Sequence, residues 1–184
     1  MALSTPTTVG QILTSAYVNN NINSGTVLLS STTIGSTVSS VAIAGCFSST
    51  YDNYRILISG GIASTTADFQ LILGSTVTGY AYASIYNTFT TGTPSGLQAT
   101  NDAAWRYLGG GTANTLQMEA ELQSPNLAKY TTITTRMVST VATGLSMSTN
   151  GYLANTTQYT GFTVSPTAGT WTGGTISVYG YRKA

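Results

Sequence analysis

Gly173-Gly174-Thr175-Ile176-Ser177-Val178-Tyr179-Gly180-Tyr181-Arg182 is the stretch on which the reading of the fold turns. Ile176, Val178 and Gly180 fall on one face, and Thr175, Ser177, Tyr179 and Tyr181 on the other. Period-two alternation of apolar or small residues with hydroxylated and aromatic ones is what a half-buried strand requires. A terminal strand frays unless neighbours hold it, so this run predicts insertion between two strands made earlier in the chain.

The same pattern recurs upstream. Tyr51 to Ser59 sets Tyr54, Ile56 and Ile58 against Arg55, Leu57 and Ser59, and Asp68 to Leu73 returns with Phe69, Leu71 and Leu73 on one face after the Gly60-Gly61 turn. These two read as neighbouring antiparallel strands. Asn114 to Gln123 turns Leu116, Met118, Ala120 and Leu122 inward and Gln117, Glu119, Glu121 and Gln123 outward, a strand with one wet face. Ser124-Pro125-Asn126 then reverses the chain into Tyr130 to Val138, with Ile133, Thr135 and Met137 on one side and Thr132, Thr134 and Arg136 on the other. Glu119 or Glu121 is expected across from Arg136.

Other segments read less cleanly. Thr26 to Ile34 and Thr37 to Ile43 are β-branched runs around Gly35, and Gly79 to Phe89 carries Tyr80, Tyr82 and Tyr86. Thr90 to Asp102, with Gly92, Pro94 and Gly96, reads as a long exposed loop. Ala103 to Leu108 contains Trp105 and Tyr107 and ends at Gly109-Gly110-Gly111, a strong breaker. Asn150-Gly151 favours a tight hairpin turn between Thr143 to Ser148 and Tyr152 to Thr157. Thr160 to Ser165 precedes a loop from Pro166 to Gly174. Many short strands with turn signals between them predict an all-β, jelly-roll-like antiparallel β-sandwich over residues 26–184, with the first and last strands both central. Residues 1–25 read as a separate docking leader. Thr14 would cap a short helix from Ser15 to Ile22, with Ile12, Leu13, Tyr17 and Val18 as apolar docking residues.

Composition restricts what such a body can do. The 184 residues suit one domain, and charged residues make up 6% of them, against roughly 25% in ordinary soluble chains. No charge precedes Asp52, and the formal net charge is +1, so no field attracts polyanions and nucleic-acid binding is disfavoured. The start of the chain lacks the pattern of a secretory signal, and no window has the length of a membrane span, so no membrane insertion is expected. A surface of Thr, Ser, Gly and Tyr suits packing into assemblies, because ordering short hydroxyl side chains costs less entropy than ordering Lys or Glu. Edges rich in Thr and Val are liable to self-pair, and oligomerisation is one remedy.

The chemistry of catalysis is thin. With no histidine and a single cysteine, His-based triads and cysteine-built zinc sites are excluded, and no cofactor or metal is expected. Cys46 reads as a small buried hydrophobe beside Phe47. Gly109-Gly110-Gly111 lacks the lysine and helix of a phosphate-binding loop. Glu119 and Glu121, two apart on one strand face, could form a glycosidase pair, although solvated charges on an exposed strand explain them as well. Asp52, Asp68 and Asp102 sit at turns or strand starts. Asn155-Thr156-Thr157 matches a glycosylation sequon without a secretion signal to give it meaning.

Twelve tyrosines against four phenylalanines is a surface-leaning balance. Tyr80, Tyr82, Tyr86, Trp105, Tyr107 and Trp171, with Tyr152 and Tyr159, fall in or near the expected loops. Such rings stack on sugars or form protein contacts, or else pack the core. The first six are the candidate contacts to a receptor or partner.

Phe47-Ser48-Ser49-Thr50-Tyr51-Asp52-Asn53-Tyr54-Arg55-Ile56, Tyr159-Thr160-Gly161-Phe162 and the closing strand resemble small virion proteins of tailed bacteriophages, including those infecting cyanobacteria. The leader Val9-Gly10-Gln11-Ile12-Leu13-Thr14-Ser15-Ala16-Tyr17-Val18-Asn19 is similar to their N-terminal segment. The resemblance implies a homotrimeric sandwich module of a tail fibre, located in the virion. Its leader would dock on the tail or baseplate, and its body would present loops to a receptor such as a host surface glycan. A similar module could instead decorate the head as a cement protein on the major capsid protein. A glycan-degrading virion enzyme, through Glu119 and Glu121, is the remaining expectation.

Overall fold

The computed structural model describes residues 25–139 and 144–183, so the leader helix and the docking residues Ile12, Leu13, Tyr17 and Val18 lie outside the described residues. Among the described residues every regular element is a strand. In chain order they are β1 (Thr26–Thr33), β2 (Val41–Ile43), β3 (Asn53–Ser59), β4 (Ile62–Ala63), β5 (Ala67–Leu73), β6 (Tyr80–Thr88) and β7 (Pro94–Asp102). There follow β8 (Gly109–Thr112), β9 (Thr115–Gln123), β10 (Thr131–Ser139), β11 (Leu145–Leu153), β12 (Phe162–Pro166), β13 (Trp171–Thr172) and β14 (Thr175–Tyr181). All ladders are antiparallel, and the sheets pack together as a β-sandwich.

The closing strand lies where its pattern places it. β14 pairs with β1 on one side and β3 on the other, Ile176 opposite Thr32 and Ile58, Val178 opposite Ser30 and Ile56. Ile176 and Val178 are fully buried, each worth about 1.5–3 kcal/mol of transfer free energy. β3 in turn pairs with β9, whose Leu116, Met118, Ala120 and Leu122 are all buried as expected.

At β9 the sheet forks. Ala120 to Gln123 pair with β10, while Thr115 to Met118 on the same edge pair with β8. One wing continues β10-β11-β6-β7, and the other β8-β5-β12-β2. Side chains of both wings meet in one core, in which Phe69, Leu71 and Leu73 of β5 and Phe162 and Val164 of β12 join Tyr54, Ile56 and Ile58 of β3. Phe47 locks this junction, its ring 4.7 Å from Tyr54 edge-on and 5.7 Å from Phe162. Cys46 beside it is buried, and burial pushes its thiol up to about 12, in keeping with a small core hydrophobe.

Several sequence expectations fail here. Gly109-Gly110-Gly111 is not a breaker: it opens β8, the strand that carries the chain from one wing to the other. A β-carbon on Gly109 would lie 2.4 Å from the Gln117 carbonyl oxygen and 2.8 Å from the Phe69 ring, so the glycines admit a crowded strand rather than end one. Asn150-Gly151 is not a turn either. Both residues lie inside β11, with Gly151 between Ile133 of β10 and Tyr82 of β6. Thr90 to Asp102 is not a loop throughout, since Pro94 to Asp102 form edge strand β7 against β6. Ala103 to Leu108 forms no strand, but runs beside β5 through a bridge between Trp105 and Leu71 and a bond from the Leu108 amide to the Phe69 carbonyl at 3.3 Å. β3 and β5 are not neighbours, because β14 and β9 occupy both edges of β3.

The first strand is not central. Among the described residues β1 pairs only with β14, and β7 and β2 are further edges. Each edge is blunted: β1 carries a register shift between Leu28 and Ser30, β7 starts at Pro94 and slips between its partners Tyr80 and Tyr82, and β2 has three residues. Irregular or short edges resist strand addition.

Candidate functional site

Burial removes most of the aromatic candidates from the surface. Tyr80, Trp105 and Trp171 are fully buried and Tyr82 is 7% exposed. Tyr80 and Trp105 meet edge to face at 5.0 Å, and the Tyr80 hydroxyl accepts the Leu73 amide at 2.7 Å and donates to the Thr76 carbonyl at 3.1 Å. Trp105 Nε1 donates to the Tyr152 carbonyl at 3.3 Å. Tyr82 donates to Asp102 at 3.0 Å, and burial together with that carboxylate pushes its phenol up to about 12. Tyr107 is half-buried, 6.0 Å from the Tyr82 ring. Trp171 packs on Phe69 at 4.6 Å in the small β4–β13 sheet. Tyr80, Tyr82, Trp105 and Trp171 belong to the core, and Tyr107 packs against it.

The carboxylates are tied up. Glu119 and Glu121 lie on the outer face of β9, opposite Leu57 and Arg55 of β3. Arg55 Nη2 bonds Glu119, Arg55 Nε is 3.6 Å from Glu121, and Tyr181 donates to Glu121 at 2.8 Å. A glycosidase needs the space between its two carboxyls for the scissile bond and water. Here a guanidinium reaches both carboxyls. Arg136, expected to pair with one of them, lies opposite Ser148 and takes part in no ion pair among the described residues. The register explains this: β10 parts from β9 after Thr135. Asp52 pairs with Lys183 at 2.8 Å, and Asp102 with Arg106 at 2.8 Å. Although burial alone would raise the Asp102 carboxyl, bonds from Arg106, the Ala103 amide and Tyr82 bring it below its ordinary value. Asn155 of the sequon is engaged with Tyr159 and the Thr157 amide.

What remains is a groove in the fork itself. Where β10 leaves β9, a cleft of about 800 Å³ opens between the end of β3, the first half of β9 and the ends of β10, β11 and β6. Its volume falls in the range of ligand pockets, about 300–1,000 Å³. Met118, Met137 and Met147 line it, each about nine-tenths buried or more, with Ile58 and Tyr86. Leu57, Ile85 and Val138 are among its walls, the last two 68% and 48% exposed. Polar walls come from Gln117, Glu119 and Arg136. Methionines are adaptable and polarizable, so such a floor moulds itself to an apolar partner.

Of the six aromatic candidates, only Tyr86 lines this groove. Sequence reasoning missed the site because it is made by strands parting company. A signal was present nonetheless: Ile85 and Val138 stand on outward positions of strands whose other outward residues are small or polar. Comparison with known proteins finds no matching family model, no matching curated protein and no matching solved structure.

Proposed function

We propose that this chain is a non-enzymatic structural protein of a phage virion, a homotrimeric tail-fibre or receptor-binding component attached through its N-terminal segment. The observation that carries the reading is the methionine-lined groove, with exposed Ile85 and Val138 beside it. Two large branched side chains left in water beside an apolar cleft mark an interaction surface. The blunted edges support assembly through faces and grooves rather than shared sheets. The resemblance of the closing strand and of the Phe47 to Ile56 segment to tailed-phage virion proteins supplies the setting. Tail, baseplate or capsid protein is the partner class, and nucleic acid, cofactor and membrane insertion have no part in this reading.

Capsid cement is the second reading, favoured by a body of short strands with no fibrous repeat among the described residues. Locating the chain by electron microscopy of the particle separates the two. Density at the tail supports the fibre component, and density over the shell lattice overturns it in favour of the cement protein. Absence from particles overturns both.

A further inference from the structure

Away from the groove, at the other end of the same outer face, two tyrosines stand in solvent. Tyr130, directly before β10, is 56% exposed, and Tyr152 of β11 is 46% exposed. Tyr152 lies opposite Thr132, so Tyr130 is its diagonal neighbour, within reach for aromatic side chains. The rings are 6.3 Å apart between centroids and within 8° of parallel. Neither hydroxyl has a hydrogen-bond partner among the described residues. Large apolar side chains held parallel at this exposure, with idle hydroxyls, are not explained by packing.

Beside them lie uncharged side chains without partners, flanked by Lys129 directly before Tyr130, by Arg136 as the next outward residue of β10 and by Glu121 opposite Thr134. Outward positions continue from Tyr152 to Asn150 on β11 and from Thr132 to Thr134 on β10, where Asn150 and Thr134 stand opposite each other. Both are exposed, and neither side chain has a partner among the described residues. Ala83 of β6, opposite Asn150, is small and exposed, which keeps the surface beside the rings low. The carboxylates of this face, Glu119 and Glu121, are committed to Arg55.

We propose that Tyr130, Tyr152, Asn150 and Thr134 form a binding platform for a neutral pyranose glycan. A pyranose ring has a face of C–H bonds that lies against an aromatic ring, and hydroxyls around its rim that exchange hydrogen bonds with an amide or hydroxyl side chain. The platform matches both halves, with ring faces for the first and Asn150, which both donates and accepts, for the second. None of the four residues carries a charge, and Glu121 opposite Thr134 adds a carboxylate on the same face, so the platform itself fits an uncharged sugar rather than a phosphate or carboxylate ligand. Two near-parallel rings 6.3 Å apart suit consecutive residues of a chain better than a lone monosaccharide. The assignment rests on this geometry and not on the virion reading, so it stands or falls separately.

The test is a glycan array probed with the purified full chain, followed by titration of a neutral oligosaccharide identified there. Tyrosine ring signals observed by NMR serve as a second readout. Binding to neutral oligosaccharides is expected, with about tenfold loss on Tyr152→Ala and near-full retention on Tyr152→Phe, because stacking needs the ring and not its hydroxyl. Asn150→Ala should weaken binding while leaving the melting temperature unchanged. Binding to no neutral glycan, binding confined to acidic glycans, or neutral-glycan binding unaffected by Tyr152→Ala would each overturn the proposal. Circular dichroism of each variant separates lost binding from lost fold.

Discussion

Trp105 lies against Gly151: a β-carbon on that glycine would sit 2.8 Å from the indole Nε1 and 2.9 Å from Cδ1, and 2.6 Å from the Ala81 carbonyl oxygen. The indole therefore crosses β11 at the one residue of the strand without a side chain. It is held there by its bond to the Tyr152 carbonyl and by the edge-on contact with Tyr80. Gly151→Ala should cost about 1–3 kcal/mol through overpacking. Thermal unfolding measures that loss, and Trp105 fluorescence should shift as the indole is displaced. An unchanged melting temperature would contradict the contact.

The two tryptophans should respond differently to the same change. Both are fully buried, yet Trp105 donates to a carbonyl while Trp171 Nε1 has no partner among the described residues. Trp→Phe leaves a cavity in each case, but at Trp171 it also removes an unsatisfied buried donor. Trp105→Phe is therefore expected to be the more destabilising by about 1 kcal/mol in denaturant titrations. Equal losses would show that the indole N–H of Trp105 contributes nothing.

Asp68 predicts a pH effect. Burial raises its carboxyl above the ordinary value, and it has no ion-pair partner among the described residues. A carboxyl raised in the folded state contributes most stability below its unfolded pKa of about 4 and loses that contribution as pH rises through the raised folded value. Asp68→Asn should thus raise the melting temperature at neutral pH, with the gain vanishing in acid. A gain independent of pH would locate the effect elsewhere.

Groove and fold should be separable by mutation. Val138 and Ile85 are exposed, so Val138→Asp and Ile85→Asp should change stability by no more than about 0.5 kcal/mol. If the groove is an interaction surface, the same variants should lose incorporation into particles or self-association measured by light scattering. Normal incorporation of both would remove the groove from the assembly.

Period-two alternation made β3, β9, β10 and β14 legible in the sequence, down to which side chains point inward, because strand facing is a local property. The insertion of β14 between two strands was legible for the same reason. Tertiary structure alone decided the fork at β9, the use of Gly109 and Gly151 as crowded strand positions, and the burial of Tyr80, Trp105 and Trp171. Each depends on which distant backbone passes over a residue. A glycine placed for close approach carries the same letter as a glycine placed for a turn, and a tyrosine between two wings the same letter as one in solvent. For that reason the groove, which exists only where β10 and β9 separate, and the Tyr130–Tyr152 platform, which exists only in the β10–β11 register, emerged from the fold rather than from the chain.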